Sequence, residues 1–107
     1  MTIQSVVTDV PSNSKGWGRV RITDGNGVPL FVSKTGNPWL GKAKGGKTAE
    51  ATPGQAITIE IQVMLRVGSG RTAREEITTG TFEYVAGSGP QTFCHRPGSQ
   101  GATVVIS

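Results

Sequence analysis

The sequence predicts a single all-β domain spanning residues 1–107, and three observations support this prediction. The 107 residues suffice for one modest hydrophobic core and are too few for two. The 16 glycines and 6 prolines suit a fold with many turns. Several segments alternate apolar and polar residues with a period of two, which is the pattern of a strand with one buried face.

The predicted elements follow one another as a strand at residues 2–10, a hairpin at 15–33, strands at 55–67 and 75–85, and two short strands at 91–94 and 102–106. The first strand alternates imperfectly, which a β-bulge would explain. The strand at 55–67 is long, which implies strong curvature or sharing between two parts of a barrel. In the strand at 75–85 the alternation changes at Gly80. Either a bulge there turns Phe82 and Tyr84 inward, or both rings lie exposed.

The segment 15–33 predicts a β-hairpin whose two faces differ in chemistry. Its turn is Asp24-Gly25-Asn26-Gly27, in which glycine and asparagine supply the positive φ that tight hairpin turns require. One face is aliphatic, and the other carries Trp17, Arg19, Arg21 and Phe31. Rings that stack bases and guanidinium groups that contact phosphates are what single-stranded nucleic acid requires of a protein surface. In the alternative interpretation, Trp17 and Phe31 complete the core and the arginines form a solvated face.

Positive charge is concentrated in about one third of the chain. The protein has a formal net charge of +4 and a sequence pI of about 9.7. The segment 15–47 contains seven lysines and arginines and one acidic residue, for a net charge of +6, whereas the remainder carries −2. Such a concentration favours an anionic partner without identifying it.

Residues 35–54 predict a flexible basic loop. Asn37 is a candidate cap for a short helical turn that begins at Pro38, and the glycines that follow limit its length. Residues 41–48, GKAKGGKT, match the phosphate-binding P-loop pattern G-x-x-x-x-G-K-[ST]. A P-loop requires a buried strand before it and a helix after it; the preceding residues are not an apolar strand, and Pro53 prevents a long helix. The lysines are therefore interpreted as phosphate contacts of a basic loop.

The sequence offers little for catalysis or metal binding. Cys94 and His95 are neighbours on a predicted strand, so their side chains point to opposite faces and are poorly placed as nucleophile and base. The adjacent Glu75 and Glu76 diverge in the same way. One cysteine and one histidine are too few for a metal site, so no enzymatic activity, metal or cofactor is expected. The lone cysteine, the lack of a long apolar run and an N-terminus without signal-peptide character predict a soluble protein of a reducing compartment.

The order of these features resembles the OB-fold of single-stranded DNA-binding proteins, a five-stranded Greek-key β-barrel. The resemblance rests on GWGRVRITDGNGVPLFVS, on a proline-bearing linker and on PGQAITIEIQV, and it covers about residues 2–85. These segments look like OB-fold modules of bacterial and phage origin. The resemblance implies binding across the central strands, a cytoplasmic location in a bacterial or phage-infected cell, and a role in DNA replication or repair. The implied fold is a small OB-type barrel with extra C-terminal strands, and a β-sandwich is the alternative.

These features together predict a non-catalytic protein that binds single-stranded DNA with little sequence specificity, with RNA as a further candidate ligand. The candidate binding residues are Trp17, Arg19, Arg21, Phe31, Lys34, Trp39, Lys42, Lys44, Lys47, Arg66, Arg71, Arg74 and Tyr84. A homodimer that pairs through the C-terminal strand is a further expectation. Two alternatives stay open: a β-sandwich structural protein of a phage virion or its assembly, and an OB-type module that binds protein.

Overall fold

A computed structural model describes residues 2–9, 16–32, 35–41, 43–68, 70–97 and 101–107. Within these residues the strands are β1 (Thr2–Asp9), β2 (Trp17–Thr23), β3 (Ala43–Thr48), β4 (Ala56–Val67), β5 (Arg74–Val85), β6 (Gln91–His95) and β7 (Gly101–Ile106). A single 3₁₀ turn at Gly70–Thr72 is the only helical element in the described ranges. The predicted all-β class is confirmed. Across the same ranges, no helix has the length and apolar character needed to cross a membrane.

The strands form two antiparallel sheets that pack against each other. One sheet has the order β3-β1-β7-β6 and the other has the order β2-β4-β5. Strand β7 contacts β2 and β4 of the other sheet, and β6 contacts β4 and β5. Within the described ranges, the long strand β4 pairs with β2 and β5 alone and is not shared between the sheets. Because no strand of one sheet pairs with a strand of the other among the described residues, the predicted barrel is not closed.

The hydrophobic core lies between the two sheets. The central strand β4 contributes Ile57, Ile59, Ile61 and Val63, all with no exposed surface. The opposite sheet contributes Ala102, Val104 and Ile106 of β7. Fully burying one such aliphatic side chain stabilises a fold by about 1.5–3 kcal/mol, so this double row accounts for much of the driving force for packing.

Strand β5 pairs with β4 over its full length without a bulge. Gly80 lies opposite a buried isoleucine of β4, and the register continues unbroken on both sides of it. Phe82 and Tyr84 therefore point inward, whereas Ile77 and Val85 point outward and are 55% and 52% exposed. The predicted bulge is wrong, and the predicted alternative of exposed rings is wrong as well.

The turn predicted after β2 is confirmed, with one difference. The Gly27 N–H donates to the Asp24 carbonyl at 3.1 Å, and the Asp24 carboxylate accepts hydrogen bonds from the N–H groups of Asn26 and Val28 at 2.8 and 3.0 Å. Only Gly27 has a positive φ, of 79°, among these turn residues. The aspartate side chain thus organises the turn, and one glycine supplies the left-handed conformation.

In the described part of the predicted second hairpin strand, residues 28–32, no strand forms. Strand β2 pairs with β4 along its whole length, and the described residues beyond the turn pair with it only at isolated bridges. Thr23 bridges Pro29, and Val20 exchanges two backbone hydrogen bonds with Leu40 at 2.9 and 2.8 Å. Since Pro29 has no N–H to donate, a regular ladder cannot start there. An irregular segment therefore covers the edge of β2.

Part of the predicted basic loop is a strand. Ala43–Thr48 forms β3, which pairs antiparallel with β1 at the edge of its sheet, so six of the eight residues of the P-loop pattern belong to an edge strand and not to a phosphate-binding loop. The predicted helical turn at Pro38 is absent, although the Trp39 N–H does donate to the Asn37 carboxamide oxygen at 3.0 Å. Because this segment has no apolar periodicity of its own, its strand conformation depends on pairing with the open edge of β1. The bulge predicted in β1 is confirmed in its pairing with β7, where the register shifts between Ile3 and Ser5.

The two short C-terminal strands predicted from the sequence are confirmed as β6 and β7. Strand β7 lies inside its sheet, because it pairs with β1 along one edge and with β6 along the other. A homodimer that adds a strand to β7 would have to exchange one of these two pairings.

Candidate nucleic-acid interface

Strand β2 carries the aromatic and cationic face that the sequence predicts. Its inward side chains Val20 and Ile22 are fully buried in the core. Because alternate residues of a strand point to opposite faces, Trp17, Arg19 and Arg21 lie on the outer face of the three-stranded sheet. All three are half-buried, so each retains contact with solvent.

Trp39 joins this face from the segment that covers the edge of β2. Its neighbour Leu40 is 3% exposed and bridges Val20 on the core side, so the two adjacent side chains lie on opposite sides of the segment. The Arg19 guanidinium carbon lies 4.3 Å from the centroid of the Trp39 ring, and that of Arg21 lies 4.7 Å from it. Arg19 also lies 4.7 Å from the centroid of Trp17. We call Trp17, Arg19, Arg21 and Trp39 the Trp/Arg cluster.

The neighbouring strand β4 orients both guanidinium groups. In the β2–β4 register, Arg19 lies opposite Gln62 and Arg21 opposite Glu60. Arg19 donates from Nε and Nη2 to Oε1 of Gln62 at 2.9 and 2.6 Å. Arg21 donates from Nε to Oε1 of Glu60 at 3.1 Å, and from Nη2 to Oε1 and Oε2 at 2.7 and 2.9 Å. Each guanidinium group is therefore held through the same edge, the one formed by Nε and Nη2.

The two arginines differ in their electrostatics. Gln62 is neutral, so Arg19 keeps its full charge, whereas the Glu60 carboxylate compensates the charge of Arg21. With one carboxylate against two guanidinium groups, the Trp/Arg cluster and its β4 partners carry one net positive charge. Stacking against tryptophan contributes a further cation–π attraction, which is stronger where water is partly excluded.

The outer face of the sheet is polarised from β2 to β5. The outward residues of β5 include the exposed acids Glu75 and Glu83, together with the exposed Ile77. Glu75 lies opposite Arg66 of β4. An anionic ligand is therefore attracted to the β2 side of the sheet and repelled from the β5 side.

Two of the candidate binding residues lie in the core and not on the outer face where the sequence placed them. Phe31 is 5% exposed and Tyr84 is 1% exposed, and both lie in the hydrophobic cluster between the sheets. The Tyr84 hydroxyl donates to the Gly89 carbonyl at 2.7 Å, and its ring packs edge-on against Phe93 with centroids 6.2 Å apart. Phe31 reaches the core because its segment does not form the predicted strand, so the alternation that placed it outward does not apply.

The predicted arginines of the β4–β5 hairpin are dispersed. Arg66 is exposed on the outer face, beyond the end of β2 that carries Trp17. Arg71 lies in the 3₁₀ turn and is exposed. Arg74 lies opposite Val67, which has the parity of the inward residues of β4, and it forms an ion pair with Glu76 at 2.9 Å. Arg74 is thus on the opposite face of the sheet from the Trp/Arg cluster.

The predicted lysines lie outside the Trp/Arg cluster or outside the described residues. Lys34 and Lys42 are in the latter group. Lys44 and Lys47 belong to β3, where their backbones pair with Ser5 and Ile3 in the four-stranded sheet.

Sequence reasoning missed Gln62 and Glu60, the residues that orient the arginines. Both share a parity on β4 with other outward polar residues, and that alternation is visible in the sequence. Their pairing with Arg19 and Arg21 is not visible, because it depends on the register between strands that are about 40 residues apart.

The second cluster of polar residues lies between the sheets at β5 and β6. The imidazole Nε2 of His95 is 2.9 Å from the Thr78 hydroxyl, and the ring lies over Gly80. The adjacent Cys94 is exposed. In the part of the chain that the structure describes, no three His, Cys, Asp or Glu side chains come close enough to hold a metal ion together.

Comparison with known proteins gives no match, so the function of the site is inferred from its geometry. No family model matches the chain, and neither the curated proteins nor the solved structures contain a match to it.

Proposed function

We propose that the protein binds single-stranded nucleic acid, DNA in the first place, along the outer face of β2. The observation that carries the proposal is the Trp/Arg cluster, in which Arg19 lies within 4.7 Å of the centroids of two tryptophan rings. Stacking of a base on an aromatic side chain contributes about 1–3 kcal/mol and is tolerant of sequence.

The spacing and orientation of Arg19 and Arg21 favour contacts to the phosphates of the nucleic acid, beside the stacking of its bases on the tryptophan rings. Arg19 and Arg21 are two positions apart on one strand, which separates their Cα atoms by roughly 7 Å and spaces the two cations along an extended ligand. Among the described residues, Nη1 of neither guanidinium has a hydrogen-bond partner, so this end is available to phosphate oxygens. The acidic β5 side directs the path of the ligand along β2.

Of the OB-fold resemblance, the proposal keeps the binding surface and not the closed barrel. The resemblance implies that ligands bind across the face of the central strands, and the outer face of β2 and β4 supplies such a surface in an open three-stranded sheet. Binding on this face does not depend on closure of a barrel.

Intrinsic fluorescence tests the proposal directly. Both tryptophans of the chain belong to the Trp/Arg cluster, so their emission reports on this site alone. Titration with an oligothymidylate at low salt is expected to quench the emission, and added salt is expected to reverse it as counterions compete. Unchanged emission at low salt would contradict the proposal.

A double substitution locates the site. Arg19→Ala with Arg21→Ala removes both half-buried guanidinium groups and is expected to weaken binding by several-fold per charge. Arg74→Ala is the matched control, because it removes a cation of the same type from the opposite face of the sheet. If the control weakens binding as much as the double variant, the site lies elsewhere.

A second candidate function is a structural or assembly role for the two-sheet fold. The observation in its favour is that the described strands form two packed sheets without barrel closure, with exposed apolar side chains at Ile77 and Val85 of the edge strand β5. Sedimentation at high protein concentration tests it. A large ordered assembly in the absence of nucleic acid would favour this role over the first.

A further inference from the structure

The ion pair between Arg21 and Glu60 lies inside the proposed binding surface. The side chains are 34% and 22% exposed, and the shortest contact between them is 2.7 Å. We propose that Glu60 restrains the affinity of the Trp/Arg cluster for nucleic acid by competing with phosphate for Arg21. This inference rests on the proposed function and concerns the regulation of that same site.

The geometry of the contact explains the competition. Glu60 occupies the Nε and Nη2 edge of Arg21 with both carboxylate oxygens. Carboxylate and phosphate use the same bidentate arrangement on this edge of a guanidinium. A phosphate that approaches Arg21 must therefore displace the carboxylate or accept hydrogen bonds from the remaining guanidinium N–H groups. In either case the negative charge of Glu60 repels it.

The adjacent pair in the same sheet provides an internal comparison. Arg19 is held by Gln62 through the same two nitrogen atoms, at 2.9 and 2.6 Å, but its partner has no charge. Gln62 thus orients a guanidinium without neutralising it. The contrast implies that orientation needs only an oxygen acceptor at this position, and that the charge of Glu60 has a separate effect.

The effect is confined to one cation. Among the described residues, Arg21 is the only basic side chain that forms an ion pair with Glu60. The β5 residue opposite Glu60 is Thr81, which carries no charge. Removing the carboxylate charge therefore releases one guanidinium and leaves the other contacts of the Trp/Arg cluster in place.

The experiment compares Glu60→Gln with the wild-type protein in oligothymidylate titrations at several salt concentrations. The substitution recreates at Arg21 the arrangement that Gln62 makes with Arg19. We expect affinity to rise about three- to tenfold at low salt. If the uncompensated Arg21 then contacts one more phosphate through its free Nη1 end, as we expect, the slope of log K against log salt steepens by about 0.7, the increment of one contact on a single strand.

Glu76→Gln is the matched control. It removes the same charge and breaks an Arg–Glu ion pair of similar length, 2.9 Å, on the opposite face of the sheet. Its expected change in affinity is within about twofold, because screening limits the reach of an exposed charge to roughly 10 Å.

The outcomes separate this inference from the proposed function. If the wild-type protein binds and E60Q changes affinity no more than E76Q does, net charge alone acts and the inference is wrong. Weaker binding by E60Q would also overturn it, since Glu60 would then be needed to position Arg21. If neither the wild-type protein nor E60Q is quenched at low salt, the proposed function fails and the inference fails with it.

Discussion

The two faces of the three-stranded sheet use the same strands for different purposes. The inner face of β4 is a row of aliphatic side chains with no exposed surface, and its identity is visible in the alternation of the sequence. The outer face is built from pairs across strands, such as Arg19 with Gln62 and Arg21 with Glu60. The difference shows that the burial of this row follows from the alternation within one strand, whereas the chemistry of the exposed face depends on the register between strands.

The largest expected effect is on the inner face. Ile59→Ala removes a fully buried side chain and is expected to lower the free energy of unfolding by about 2–5 kcal/mol, through lost burial and the cavity left behind. Thr81→Ala, on the outer face of β5, is the control and is expected to cost less than about 1 kcal/mol. Denaturant titration of both variants measures the contrast, and equal losses would contradict the division between the faces.

Gly80 tests how closely the two sheets approach each other. A Cβ at this position would lie 2.8 Å from Nδ1 and 3.1 Å from the Cβ of His95, so Gly80→Ala is expected to cost about 1–3 kcal/mol of stability through overpacking. Because the obstacle is the imidazole, the cost should fall when Gly80→Ala is combined with His95→Ala. A double-mutant cycle in denaturant measures this coupling, and strictly additive losses would indicate that the ring moves away without cost.

Trp39→Ala sharpens the comparison on the outer face. It removes the ring that lies over both arginines, and it is expected to weaken oligothymidylate binding by about 1–3 kcal/mol, the contribution of one stacked base. The adjacent Leu40 keeps the segment anchored, so the change in stability is expected to be smaller than for Ile59→Ala. Binding is followed through the remaining Trp17 fluorescence. Unaltered affinity would exclude Trp39 from the site.

Arg19→Lys is expected to give the smallest change and separates charge from stacking. Lysine keeps the positive charge but loses the planar group that stacks on Trp17 and Trp39. We expect a modest loss of affinity with an unchanged salt slope, because the number of phosphate contacts stays the same. A reduced slope would show that the planar group, and not the charge alone, is needed for the phosphate contact.

Local patterns predicted some parts of the candidate site and not others. Trp17, Arg19 and Arg21 lie on one face because they alternate within a single strand, and that property needs no information from elsewhere in the chain. Phe31 and Tyr84 were placed wrongly for a different reason. The outward position of Phe31 assumed a strand that does not form, and Tyr84 faces inward through its pairing with β4.

Local sequence patterns are enough to predict the positions of most strands, the turn that Asp24 organises and the buried row of β4. Contacts between distant segments explain why β2 pairs with β4 and not with the segment after its turn, why residues of a P-loop pattern form β3, and why Glu60 lies beside Arg21. The two kinds of feature differ in the sequence separation over which the interactions that determine them act. Alternation and turn chemistry are local, whereas register and edge pairing depend on which distant strand buries the larger apolar surface.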